Sequence, residues 1–273
     1  MTGIAHSVAA AFARLERLDG VTGAVVPRLF GLVLGVAGWY GLASVFPNRL
    51  MPFPGETLAL TVELVATGVV TEHLLATSKR ILLGFAGSMV VGVTVGTLMG
   101  LDDYARKFFL PYVVVGMSVS AVAWAAVGTL VFGFSVLAPV AATVLTTFPF
   151  VTVHVWKAVE DVDDDLTRMS RSFDVSLPRM VRRQLLPDVT PGLFSASRFG
   201  LAISWKIVTL AEMFAASNGV GYRLFKAYQR FRFEEAWSWA AVFVIVILLI
   251  EYGVFRPLER RVFAYRSEAR PLA

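Results

Sequence analysis

Long apolar runs, separated by short polar stretches, set the pattern of this chain. A helix needs about 20 residues at 1.5 Å each to cross roughly 30 Å of hydrocarbon. Six stretches approach or meet that length: Leu29 to Phe46, Ile81 to Leu101, Phe108 to Val131, Phe134 to Val155, Leu193 to Ala216 and Trp237 to Val254. Strand-like alternation is absent, which argues against a β-barrel. The third and fourth runs are parted only around Phe132 and Gly133, and their joint length, near twice the bilayer requirement, predicts a hairpin. The expected class is an all-α membrane protein. Residues 1–28 would form an N-terminal segment, 29–255 the six-span domain and 256–273 a C-terminal tail.

Composition strengthens that reading. Of 273 residues, 56% are hydrophobic and 16% charged, with a mean hydropathy of +0.67, too apolar to clothe a soluble core with polar surface. Arg14, Glu16, Arg17 and Asp19 interrupt the first 27 residues, so a cleaved signal peptide is not expected. The absence of cysteine excludes disulfides, thiolate metal sites and cysteine nucleophiles. A basic excess of 25 over 20 would suit nucleic acid in a soluble protein, but here it sets orientation. With a cytoplasmic amino terminus, sixteen Lys and Arg fall in inner segments and seven in outer ones, which places both termini in the cytoplasm and the chain in the cell membrane as a multi-pass protein.

Two stretches carry finer patterns. The outer loop from Pro47 to Arg80 shows Leu58, Val62, Val65 and Val69 at near-helical spacing, which predicts an interfacial helix. Span two carries Gly84, Ser88, Gly92, Gly96 and Gly100, a four-residue repeat of small side chains that lets another backbone approach, within the bundle or across a subunit interface.

The sizeable polar loop on the inner side, Lys157 to Thr190, places Leu166, Met169 and Phe173 on one helical face. Asp174 to Ser176 reads as a turn, and Ser176 can cap a second short helix with Pro178 in its first turn. Such helices either rest on lipid headgroups or bury their apolar faces in a partner. Here the sequence resembles the inner-membrane permeases of binding-protein-dependent ABC importers. Their loop has the pattern Glu-Ala-Ala, three residues, Gly, nine residues, Ile-x-Leu-Pro. Arg168, Met169 and Ser170 take the Glu-Ala-Ala places, Asp174 the Gly place, Gln184 the Ile place, and Leu186 and Pro187 the Leu-Pro places. Asp tolerates the left-handed turn that Gly supplies, whereas Arg168 reverses a charge.

Further wording looks like the nitrate, sulfonate and taurine permease group: Leu50 to Pro54, His73-Leu74 to Gly84-Phe85 with Ser78 and Arg80, Ala123-Trp124 to Phe132-Gly133, and Trp205 to Gly221 with Ala211-Glu212 and Gly219-Val220-Gly221. The closing Leu258-Glu259-Arg260-Arg261 is similar too. Ala126 stands where the group usually has proline, which predicts a milder break in span three.

The resemblance implies a type I importer bundle and a second permease copy as dimer partner. It also implies an extracytoplasmic solute-binding protein and cytoplasmic ATP-binding subunits that hydrolyse the ATP, with no cofactor on this chain and no nucleic acid partner. It implies ATPase coupling through Leu166, Arg168, Met169, Ser170, Phe173, Asp174, Leu186 and Pro187, and it brings span five beside the pathway for a small solute, an anion such as nitrate or a sulfonate being one candidate.

Within span five, Arg198, Trp205 and Glu212 recur every seven residues, with Lys206 beside that stripe. Ionisable groups at this depth cost about 2.5–3.5 kcal/mol each on insertion scales unless they face protein or water. Trp205, Lys206 and Glu212 are therefore candidates to line the pathway. The alternatives are an ion pair of Lys206 with Glu212 or Glu251, and snorkelling of Arg198 to the inner face. His6, His73 and His154 lie in three different segments and make no metal cluster. No Gly-x-x-x-x-Gly-Lys-[Ser/Thr] loop is present, and Ser195 and Ser204 have no histidine in sequence reach, so no enzymatic activity is expected. An ion-coupled secondary transporter would use Lys206 and Glu212 but leaves the Leu166 to Pro187 loop without a role, and an intramembrane enzyme would need polar residues converging on one site.

Overall fold

The computed structural model describes residues 21–47, 50–162 and 186–255 together with Pro257. Among these the regular elements are all helical. They are α1 (Val21–Val45), α2 (Pro54–Ala66), α3 (Val69–Leu101), α4 (Asp103–Ser118), α5 (Ala121–Phe132), α6 (Leu137–Glu160), α7 (Leu186–Ala215), α8 (Val220–Gln229) and α9 (Phe233–Ile250), the last running into a π-helical turn at Glu251–Phe255. Three helices, α3, α6 and α9 with the start of its π turn, are long and apolar enough to cross a membrane. The pairs α4 with α5 and α7 with α8 raise the number to five if each bent pair is one span, and Leu29–Val45 of α1 is a shorter apolar helix.

At the centre stands α6, packed on α3, α5 and α7. The small-residue repeat of α3 makes its closest contact. Gly84 faces Thr143, Gly92 faces Val151, Gly96 faces Val155, and Gly100 faces Val159. The facing residue lies the same number of positions further along the chain in each case, so α3 and α6 run parallel in a fixed register. A Cβ at Gly92 would sit 2.6 Å from Val151 Cβ and 3.0 Å from the Phe148 carbonyl. The repeat is therefore an intramolecular contact, with the valines of α6 as knobs where α3 has no side chain.

Three local features depart from the sequence reading. First, α3 begins at Val69 rather than near Ile81, so Lys79 and Arg80 lie inside a helix instead of an outer loop. Nothing between Val69 and Ile81 breaks a helix: the stretch holds no proline or glycine. Second, the break in span three falls at Val119 and Ser120 rather than near Ala126, and it is not mild. α4 and α5 meet at 99°, with Val119 and Ser120 both extended and the Ser120 hydroxyl capping Val122 N–H at 3.4 Å. Ser120 is a helix-start signal set inside an apolar run, where length alone reads one crossing. The helix passes through Ala126 unbroken. Third, α7 starts at Leu186, so Leu186 and Pro187 occupy its first turn, where proline costs no hydrogen bond. Leu166, Arg168, Met169, Ser170, Phe173 and Asp174 lie outside the described residues.

The expected hairpin is present, α5 ending at Gly133, whose φ of 65° lies in the region only glycine enters freely. The expected helix in the outer loop is α2, opened by Pro54, with Glu56 accepting the Phe53 N–H at 3.1 Å. Leu58, Val62 and Val65 stand exposed while Thr57 and Thr61 face inward. α1 joins the bundle through Trp39, which packs against Trp237 and donates to the Pro52 carbonyl at 3.1 Å.

Replacing Gly92 with Val should lower stability by about 1–3 kcal/mol through overpacking against Val151. Gly35→Ala, at a position with open space around it, should leave the thermal midpoint in detergent unchanged. Equal midpoints for the two variants would contradict the α3–α6 contact.

Candidate functional site

Near the start of α8, the end of α7 and the turn that follows it meet the distant helix α3 in one buried polar cluster. α3 supplies His73, Thr77 and Arg80, α7 supplies Glu212, and the turn between α7 and α8 supplies Asn218 to Gly221. Glu212 is wholly buried and Arg80 is 3% exposed. Arg80 Nη1 donates to Glu212 Oε1 at 2.6 Å and to the Asn218 carbonyl at 2.9 Å, while Nη2 reaches the Asn218 side chain. Thr77 Oγ1 lies 2.9 Å from both carboxylate oxygens and accepts the Val220 N–H at 2.9 Å. Gly221 N–H donates to Oε2 at 3.1 Å, and Gly219 N–H donates to His73 Nδ1 at 3.1 Å.

Only glycines admit this closeness. Gly219 adopts φ 113°, and a Cβ there would run into the Glu212 carboxyl, whereas a Cβ at Gly221 would strike the Thr209 carbonyl. The stretches around Arg80, Ala211-Glu212 and Gly219-Val220-Gly221 are thus parts of one construction. Apart from Arg80 Nε, which has no partner among the described residues, the bonds of the cluster are internal, and they tie α3, α7 and the turn before α8 together.

A second feature lies along α7. A cavity of about 330 Å³ opens between α3, α7 and α9, walled by Ile81, Leu82, Leu201, Trp205, Ile247 and Ile250, with Lys206 and Glu251 on its lining. Trp205 is buried and stacks on Phe243 with centroids 5.5 Å apart. Lys206 is exposed.

Neither carboxylate considered as a partner for Lys206 serves it. Glu212 belongs to Arg80, and Glu251 accepts from Arg198 at 2.7 Å. Residues six apart on a helix point about 120° away from each other, so Lys206 and Glu212 cannot meet on α7. Arg198 forms this ion pair with both side chains partly exposed. Glu212, expected at the pathway, is closed in by protein; Trp205 and Lys206 share the cavity. Arg80 and Thr77 are not among the residues that the sequence pattern points to, because helical spacing relates Glu212 only to residues of its own helix and the apolar run of span two begins after Arg80. The proximity of Arg80 and Glu212 to resemblance-bearing motifs was the available signal.

Replacing Arg80 with Met strands a buried carboxylate and should destabilise the protein by about 3–5 kcal/mol. Adding Glu212→Gln should recover part of that loss. Thermal unfolding in detergent of both singles and the double variant checks the coupling; strict additivity would mean that the pair does not interact.

Comparison with known proteins identifies the bundle. The chain is 24% identical to the formylaminopyrimidine transport permease protein of Halalkalibacterium halodurans, covering 90% of this chain and 97% of that one. It is 26% identical to the taurine transport system permease protein of Escherichia coli, covering 72% and 71%. It is 23% identical to the nitrate import permease protein of Synechococcus elongatus, covering 74% and 76%. Among solved structures it is similar to a chain of the MetNI methionine ABC transporter in inward-facing conformations, with TM-score 0.62, 18% identity, and coverage of 70% of this chain and 95% of that one. Residues 88–263, well over half of the sequence, match the binding-protein-dependent transport system inner membrane component family, and the chain belongs to that family.

Proposed function

We propose that this permease crosses the membrane six times with both termini cytoplasmic, pairs with a second copy of itself, and passes a small anionic solute of the nitrate or sulfonate class. The solute arrives on an extracytoplasmic binding protein. ATP is hydrolysed by cytoplasmic subunits that dock on the loop at 157–190 through Leu166, Met169 and Phe173, with Arg168, Ser170, Asp174, Leu186 and Pro187 completing the contact. ATP binding draws the ATPase pair together and moves the docked loop, and the bundle exchanges inward for outward access through contacts that differ between the two states.

The observation that carries the anion is Lys206. It makes no salt bridge among the described residues, since Arg80 and Arg198 occupy Glu212 and Glu251. An ammonium on an apolar wall at this depth is retained where water or a passing counter-charge restores its lost hydration. The same pairing weighs against an ion-coupled carrier, because the carboxylate such a carrier would titrate is tied to an arginine. The similar permeases named for taurine and nitrate suit an anion, whereas the one named for formylaminopyrimidine shows that identity at this level does not set the solute.

Lys206→Met keeps the apolar stem and removes the charge. In vesicles carrying the assembled transporter, taurine uptake should fall by about tenfold, equivalent to roughly 1.4 kcal/mol, with the thermal midpoint unchanged. Normal uptake by this variant would remove Lys206 from the pathway. For coupling, Asp at both Met169 and Phe173 should abolish co-purification of the ATPase with the tagged permease, and an ATPase still retained on the beads would sink the docking assignment.

A further inference from the structure

Beyond the α7–α8 bend lies a hollow of a different character from the apolar cavity around Lys206. It has a volume of about 410 Å³ and is bounded by Phe134 from the α5–α6 turn, Phe214 near the end of α7, and Tyr222, Phe225, Lys226 and Gln229 from α8, with Arg230 just after it. Tyr222, Phe225, Lys226 and Gln229 recur at intervals of three and four, so one face of α8 forms one wall. Arg223, on another face, lies over Trp239, with 5.6 Å from its guanidinium to the ring centroid. The wall therefore combines aromatic surface with two cations.

Those cations are not neutralised. Lys226 donates to the Tyr222 hydroxyl at 2.8 Å, which uses one of its three N–H groups. Neither Lys226 nor Arg230 forms a salt bridge among the described residues. Glu235 faces Arg232 at 3.5 Å, and Arg232, Glu234 and Glu235 line a separate hollow. Arg223, Lys226, Arg230 and Arg232 also run against the inner bias of the other basic residues, so orientation does not account for them.

We infer that this hollow is a receiving site on the extracytoplasmic side for an organic anion, Lys226 and Arg230 binding a sulfonate or similar headgroup while Phe134, Phe214 and Phe225 cover a short apolar body. The inference rests on the orientation proposed above and deepens that reading: it separates organic anions from inorganic ones. A bare inorganic anion would use the cations and leave the aromatic wall wet. An organic sulfonate satisfies both, because charge-assisted hydrogen bonds hold the head and apolar burial holds the tail. The hollow lies against the end of α7, the helix that carries Lys206 further along its length.

The test uses the full chain in phosphatidylcholine nanodiscs and a fluorinated probe, 2,2,2-trifluoroethanesulfonate, observed by fluorine NMR. The wild type should broaden the probe line. The double variant Lys226→Gln/Arg230→Gln should raise the apparent Kd by an order of magnitude or more. Arg230→Gln alone, which leaves the Lys226–Tyr222 bond intact, should show an intermediate loss. Arg232→Gln, outside the hollow, should behave as wild type. Unchanged broadening by the double variant, equal broadening of neutral trifluoroethanol, or loss of broadening in Arg232→Gln alone would each overturn the assignment. Binding is read without ATPase or transport, so a failure of ATPase docking would leave this result standing and the two readings can fail separately.

Discussion

A carboxylate enclosed by protein needs a partner for every lone pair that water would otherwise satisfy, and Glu212 imposes that requirement on its surroundings. Its answer is drawn from two other segments: a guanidinium and a hydroxyl from α3, and backbone N–H from the turn before α8. Each donor fixes something larger. Arg80 can reach only because α3 extends well beyond the length of a bilayer crossing. Gly221 can reach only because the chain breaks after Ala215 and turns back through Gly219, producing the 49° bend between α7 and α8. Such a pair adds little stability over apolar packing of the same volume, but its geometry admits few alternatives, and loss of either partner is costly.

Charge is then distributed along α7 with little redundancy. Arg198 is matched by Glu251 and Glu212 by Arg80, while Lys206 between them makes no salt bridge among the described residues. The aromatic hollow past the bend repeats that condition with Lys226 and Arg230.

The class of fold and the small-residue contact were legible because both follow from one-dimensional periodicity. A run of apolar residues has a length, and a glycine every fourth residue has a face. The helix α2 was legible from the spacing of Leu58, Val62 and Val65, and the hairpin at Gly133 from the joint length of the two apolar runs it parts. The position and sharpness of the break at Val119 and Ser120 were hidden because apolar composition continues through it, and the serine signal is weaker than the length signal. The Arg80–Glu212 pairing was hidden for a different reason: spans distant in sequence supply its members, and helical spacing constrains contacts only within one helix. The partners of Glu212 were thus not readable from spacing along one helix. Trp205 and Lys206 do share a cavity, whereas Glu212 turns away from it.

The parallel seam between α3 and α6 has a mechanical consequence. Valines seated against bare backbone at a constant offset leave no slack for either helix to rotate about its own axis, and sliding must proceed in whole steps of one repeat, lifting each knob over the helix opposite. For displacements smaller than that step the two helices behave as a single strut. One end of the strut carries Arg80 and its grip on the α7–α8 bend, and the other ends at Glu160, where the polar loop begins. A push of an ångström or two applied beyond Glu160 would therefore arrive at the bend nearly undiminished, as translation of a stiff rod rather than as strain dissipated in side chains.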